Sequence, residues 1–145
     1  MPSKTATTIM ENVDGTTNLA IKKTENSNFI VVDGGMNNLV RPAMYGAWHQ
    51  PILVNIAGQK DGSMKKYDIV GPICESGDIF GKDVYMNDIL NEDNYIAFLN
   101  AGAYGKSMAS IYNLHSIAME LMVDGDVVSV ISRPISWNDL IIFEK

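Results

Sequence analysis

Basic residues are scarce in this chain, and so are cysteine and histidine. Lysine and arginine together number 11 against 17 aspartates and glutamates, a formal net charge of −6. Nucleic acid and anionic membrane surfaces are recognised through basic patches. The pairs Lys22-Lys23 and Lys65-Lys66 are too short to form one, so no nucleic-acid or membrane partner is expected. A lone cysteine, Cys74, makes no internal disulfide, and the chain suits a reducing, cytoplasmic setting. One cysteine and two histidines give no structural zinc spacing, so no metal is expected. No apolar run approaches the roughly 18 residues of a membrane span. The opening stretch MPSKTATTIMENVDGTTN has no apolar h-region and does not read as a secretory leader. Helical periods of the length a βαβ fold needs are also absent.

What remains is a chain of short strands. The 145 residues, 46% hydrophobic and 19% charged, suit one domain with a real core. Residues 1–18 are rich in Thr, Ser and Asn and read as poorly ordered or atypical. Residues 19–145 form the domain. Strands are expected at 28–35, 51–58, 67–74, 94–104 and 139–144, with a hairpin over 119–132 turning at Asp124-Gly125. Helical turns are expected only around 105–111 and 42–49. The spacing predicts an all-β fold, a Greek-key barrel or sandwich with one or two short helical turns.

Three glycine-punctuated polar stretches stand out. The first is VGPICESGD, residues 70–78, which sets Cys74 close to Glu75 and Asp78. A lone cysteine is commonly a small buried hydrophobe. Beside carboxylates, which do not favour a thiolate, it reads instead as a weak acid able to donate a proton. Glu75 could bind a substrate ammonium. The second stretch is DGGMNNLVRPAMYGAWH, residues 33–49. Gly34-Gly35 permits a tight turn with positive φ. Pro42 can open a helical turn that brings Tyr45 near Arg41. Guanidinium and phenol then make either a carboxylate clamp or a surface arginine covering an aromatic ring. His49 reads as a structural residue. In the third stretch, NAGAYGKSMASIYN (100–113), small residues around Tyr104 allow close backbone approach to a ligand. Lys106 reads as a surface lysine rather than a Schiff-base lysine, and Tyr112-Asn113 as core or turn.

These three stretches, in this order, resemble the C-terminal domain of the diaminopimelate decarboxylase family, pyridoxal-phosphate enzymes of the alanine racemase-like group. The likeness covers about residues 20–145 and extends to the tail SRPISWNDLI. The sequence CESGD distinguishes this family from the related ornithine and arginine decarboxylases. The resemblance implies a Greek-key β-domain and decarboxylation of meso-diaminopimelate to L-lysine. It implies that Cys74 and Glu75 reach into the active site of a dimer partner. Cys74 would serve the protonation step or help set its geometry, and Glu75 would contact the distal amino end of the substrate. Arg41 and Tyr45 would hold a substrate carboxylate, and Tyr104 would contact the cofactor.

The same resemblance implies a (β/α)₈ barrel carrying the pyridoxal lysine and the phosphate loop, and these 145 residues do not include it. It also implies a missing N-terminal strand and hence an open sheet edge. The chain is therefore expected to need a barrel-domain chain, a homodimer partner or both. The alternative is a non-catalytic remnant or interaction module. A separate enzyme using Cys74 as nucleophile lacks an evident base.

Overall fold

The structure, a computed structural model, describes residues 5–7, 20–54, 62–92 and 94–144. It is mostly sheet. Strands β1 (Thr5–Thr7), β8 (Glu120–Asp124) and β9 (Val127–Ser132) form one sheet in the order β1-β8-β9. A second, four-stranded sheet runs β2 (Ala20–Lys23), β3 (Asn28–Val31), β5 (Met64–Val70), β6 (Ile79–Asn87). There β3 and β5 are parallel, and the other pairs are antiparallel. Strands β4 (Pro51–Val54) and β7 (Tyr95–Phe98) pair antiparallel as a third sheet. The helices are single turns: α1 (Arg41–Tyr45), α2 (Gly105–Met108) and α3 (Trp137–Leu140). The all-β reading holds, as separate sheets; no closed barrel runs through the described residues.

The core follows from strand alternation. In β5, Tyr67 and Ile69 point inward with Asp68 between them, and in β6 Val84 and Met86 flank the exposed Tyr85. With Ile30, Val32, Leu39, Phe80 and Leu90 they make one apolar cluster, against which Leu53, Ile96 and Phe98 pack. Phe80 and Phe98 stack with ring centroids 4.8 Å apart. Each such side chain contributes roughly 1.5–3 kcal/mol on burial.

Several expectations are corrected. Residues 139–144 are not a strand but the end of α3 followed by a 3-10 turn, Ile141–Phe143. Ser136 caps the helix: its Oγ accepts from the Asp139 amide, and the Asp139 carboxylate accepts from the Ser136 amide at 2.8 Å. This capping box was readable in S-W-N-D, but the apolar run behind it looked like strand. The longest described strand, β6, was not expected; it carries the turn-forming residues Gly81 and Asp83 within it. In fact Asp83 takes φ 52° within the strand, and its amide donates to Asp68 Oδ1 at 2.9 Å. Strand β2 was likewise not expected.

The hairpin at Asp124-Gly125 is present, with Asp124 paired to Val127 and Gly125 at φ 61°. Positions 55–58 of the strand expected at 51–58 lie outside the described residues, as does most of the segment 1–18. Within that segment Thr5–Thr7 pair with β8, so β8 is flanked on both sides.

The loop between β5 and β6 is held by one buried carboxylate. Asp78 is 2% exposed. Its Oδ1 accepts from the Met36 amide at 2.6 Å and its Oδ2 from the Ile73 amide at 2.7 Å. Gly71 is glycine because a Cβ there would lie 2.3 Å from the Asp78 carboxylate. Gly34 and Gly35 do not take positive φ. Gly35 is required by close approach instead, since a Cβ would meet the Ile73 side chain at 2.7 Å. His49 is buried, and neither ring nitrogen has a hydrogen-bond partner among the described residues.

Replacing Asp78 with alanine leaves two inward amides without an acceptor. Urea denaturation of the purified chain should show a loss of about 2 kcal/mol. The capping box at the start of α3 responds to acid. Arg133 bonds Asp139 through both guanidinium Nη atoms, at 2.6 and 2.7 Å. Arg133 first, then Ser136, hold the Asp139 carboxyl well below the usual carboxylate range. A depressed value means that this contribution is complete above the ordinary 3.8 and is lost as pH falls through the folded value. Carboxyl NMR should find Asp139 still ionised at pH 3.

Candidate functional site

The three polar stretches meet in the structure. The β5–β6 loop (71–78) is tied to the loop after β3 (32–40) by the Asp78–Met36 bond. That second loop is tied to the segment after α2 by two asparagines. Asn37, 2% exposed, donates through Nδ2 to the carbonyls of Ser110 and Ser116, at 3.4 and 3.1 Å. The Ser110 amide returns a bond to the Asn37 carbonyl at 2.8 Å, and Asn38 Nδ2 donates to Ser116 O at 3.3 Å. The third tie closes the set: Tyr112 donates its hydroxyl to Glu75 Oε1 at 2.5 Å.

Within this frame Cys74 is an exposed free thiol and Glu75 is exposed beside it. Asp78 does not face the thiol as a second carboxylate, since each of its oxygens is engaged by a backbone amide. Burial pushes the Asp78 carboxyl above the usual range, while the two amide bonds and His115 pull the other way. Asp78 therefore holds the loop, and Glu75 is left as the local anion. Among the described residues no cation pairs with Glu75. The Glu75 hydrogen bond, first, and burial, second, raise the Tyr112 phenol above its ordinary value.

Arg41 opens α1, with Pro42 in its first turn. Gly46 ends that helix at φ 62°, its amide bonding Pro42 O at 3.0 Å. Tyr45 therefore stands one turn beyond Arg41, 64% exposed. The aromatic partner of Arg41 is not Tyr45 but Tyr104: the guanidinium carbon lies 5.6 Å from the Tyr104 ring centroid. The guanidinium has no carboxylate partner among the described residues. Tyr104 takes φ 62°, a left-handed conformation that costs a non-glycine residue of order 1 kcal/mol. A Cβ built at either neighbouring glycine, Gly102 or Gly105, would meet nothing within 4 Å. An aromatic ring is thus held out on a strained turn with open space beside it.

Lys106 is engaged elsewhere. Its Nζ donates to Ser132 Oγ at 3.0 Å and lies 3.5 Å from Glu120. It is a tether to the β8–β9 hairpin, in keeping with its reading as a non-catalytic lysine.

Sequence reasoning missed Tyr112 and the two asparagines as parts of this site. Tyr112 is 37 positions from Glu75, so no local pattern pairs them. The doubled asparagine after Gly34-Gly35 was a usable signal, because a buried amide side chain joins backbone segments when it is satisfied.

Comparison with known proteins identifies the family. Residues 8–102 match the family described as pyridoxal-dependent decarboxylase, C-terminal sheet domain. Diaminopimelate decarboxylase of Pseudomonas aeruginosa is 42% identical over 113 residues, 78% of this chain and 26% of that protein. Its counterpart in Archaeoglobus fulgidus is 44% identical over 115 residues, covering 79% and 26%. The crystal structure of Helicobacter pylori diaminopimelate decarboxylase complexed with L-lysine superposes with TM-score 0.78 at 37% identity, covering 89% of this chain and 30% of that one. The chain thus spans about a quarter of the length of the curated relatives it matches. It belongs to the pyridoxal-dependent decarboxylase family, as a C-terminal sheet domain.

Proposed function

We propose that this chain is the C-terminal part of a diaminopimelate decarboxylase, which converts meso-2,6-diaminopimelate to L-lysine and carbon dioxide, and that it acts only with a barrel half. The observation that carries the reading is the interlocking of its three motif loops. They present Arg41 with Tyr104, and Cys74 with Glu75, with neither Arg41 nor Glu75 neutralised by a partner among the described residues. A substrate with carboxylates and ammonium groups at its two ends calls for one cation and one anion held apart from their usual counterions.

In this reading Arg41 and Tyr45 bind a substrate carboxylate, and Glu75 binds the distal ammonium. Cys74 holds a proton at Sγ for delivery to the reacting carbon. Tyr104 lies against the cofactor, and its outward ring on an open turn fits that task. Pyridoxal phosphate, when bound, supplies the electron sink for loss of carbon dioxide. Its covalent lysine and phosphate loop would come from the barrel half; Lys106 is bonded to Ser132 and Glu120 instead. Cys74 and Glu75 act across a dimer interface, in a partner's site.

The surface supports a requirement for more protein. In the edge strand β9, Val127, Val128, Val130 and Ile131 are each more than half exposed. Trp137 and Ile142 are also more than half exposed. An apolar edge strand open on both faces is covered in a stable protein. The relatives carry about three quarters of their length beyond the matched part, and that is the occupant proposed here.

The test is to mix the purified chain with pyridoxal phosphate, meso-diaminopimelate and a barrel half from a family enzyme, and to measure carbon dioxide release. Activity is expected in the mixture and in neither half alone. A folded chain giving no activity in the mixture overturns the proposal in favour of a non-catalytic remnant. Within the active mixture, Cys74→Ala should lower kcat by about a hundredfold, as for loss of a positioned proton donor. Because both side chains are exposed, Cys74→Ala and Glu75→Ala should each change the chain's own stability by less than about 0.5 kcal/mol.

A further inference from the structure

We infer that Tyr112 is a positioning residue for Glu75, fixing that carboxylate so that one oxygen remains directed to a substrate ammonium. The inference rests on the decarboxylase reading above and adds to it a residue and a specificity device.

Three observations carry it. First, the Tyr112 hydroxyl bonds Oε1 alone, at 2.5 Å, and no other described group bonds the carboxylate side chain. An exposed glutamate otherwise samples many rotamers, and ordering it on binding costs affinity. A phenol that donates one hydrogen bond removes most of that freedom and leaves Oε2 as an acceptor for N–H donors.

Second, Tyr112 sits on a segment that is itself strained and tied down. Asn113 and Leu114 are successive non-glycine residues in left-handed backbone, at φ 53° and 59°. The turn is closed by Leu114 N to Ile111 O at 2.8 Å and His115 N to Tyr112 O at 3.2 Å. Asn37 grips its two ends at Ser110 and Ser116, and Asn38 grips Ser116 again. Two adjacent left-handed residues are expensive, and they persist only where the surroundings over-determine them.

Third, the opposite end of the contact is equally fixed. The Glu75 amide bonds Ile73 O at 2.7 Å, the Asp78 amide bonds Glu75 O at 3.1 Å, and the loop is held by the Asp78 side chain. Tyr112 and Glu75 therefore approach from two rigid backbones, as a site that must hold one charge in one place requires. Tyr112 is 44% exposed, so it is not there to fill a core.

The experiment uses the reconstituted pair of chains, with Tyr112→Phe in this one. KM for meso-diaminopimelate should rise about tenfold with kcat changed by less than about twofold, the split expected for a lost hydrogen bond to a binding charge. Tyr112→Phe combined with Glu75→Ala should be no worse than Glu75→Ala alone, and the melting temperature of Tyr112→Phe should match the parent. Equal falls in kcat and melting temperature, with KM unchanged, would make Tyr112 a loop brace and overturn the inference.

A second readout needs no turnover. In the chain alone, the ¹³Cζ resonance of Tyr112 should titrate at higher pH than in Glu75→Gln. Identical titrations overturn the pairing whatever the kinetics show. Absence of turnover in the unmutated pair, with the two titrations different, rejects the decarboxylase reading and the ammonium role with it, while the Tyr112–Glu75 pairing stands.

Discussion

The buried carboxylate of Asp78 is the constraint on which the candidate site depends. Its two oxygens collect one amide from its own loop and one from the loop after β3, two segments that are far apart in sequence. Burying a carboxylate is costly, and here the cost is offset by two charge-assisted bonds to backbone. The consequence is mechanical. The Cys74-Glu75 tip is exposed, but the base of its loop is tied by the Asp78 side chain to two backbone amides. Gly71 and Gly35 lack side chains because this packing leaves no room for them.

From that anchor the other ties follow. Asn37 stands next to Met36, whose amide Asp78 holds, and its own side chain reaches the segment carrying Tyr112. Tyr112 then returns to Glu75 on the first loop. Each tie of the circuit is a hydrogen bond between polar groups. Its buried members, Asp78 and Asn37, carry the stability, whereas the exposed Tyr112–Glu75 bond fixes a side chain and adds little to the fold. Function then falls to Arg41, to Cys74 and to the Glu75 oxygen that Tyr112 leaves free to accept.

Much of this was legible in the sequence, and the reasons for the gaps are specific. The strand character of β3, β4, β5, β7 and the β8–β9 hairpin came through because β-branched runs end at glycine, proline or Asp-Gly. Strand β6 did not, because a bulge with left-handed Asp83 placed turn-like residues inside a strand. Residues 139–144 misled because two isoleucines and a leucine favour strand locally, while a capping box three residues earlier decides the matter. The motif loops were recognisable, but the ring beside Arg41 is Tyr104 and not the expected Tyr45. Their connections were not recognisable, since Tyr112 to Glu75 and Asn37 to Ser116 span 37 and 79 positions. The role of Asp78 was also hidden: beside Cys74 in the sequence it reads as chemistry, and only its burial shows that it is structure.

The central claim is that this half of the site is assembled before any partner arrives. Amide hydrogen exchange on the isolated chain tests it most directly. If the claim is right, the amides of Met36 and Ile73 exchange as slowly as those of the core strands β5 and β6, and the Glu75 loop is ordered without ligand or barrel. If those two amides exchange at the rate of an open loop while the strands remain protected, Asp78 does not hold the loops together.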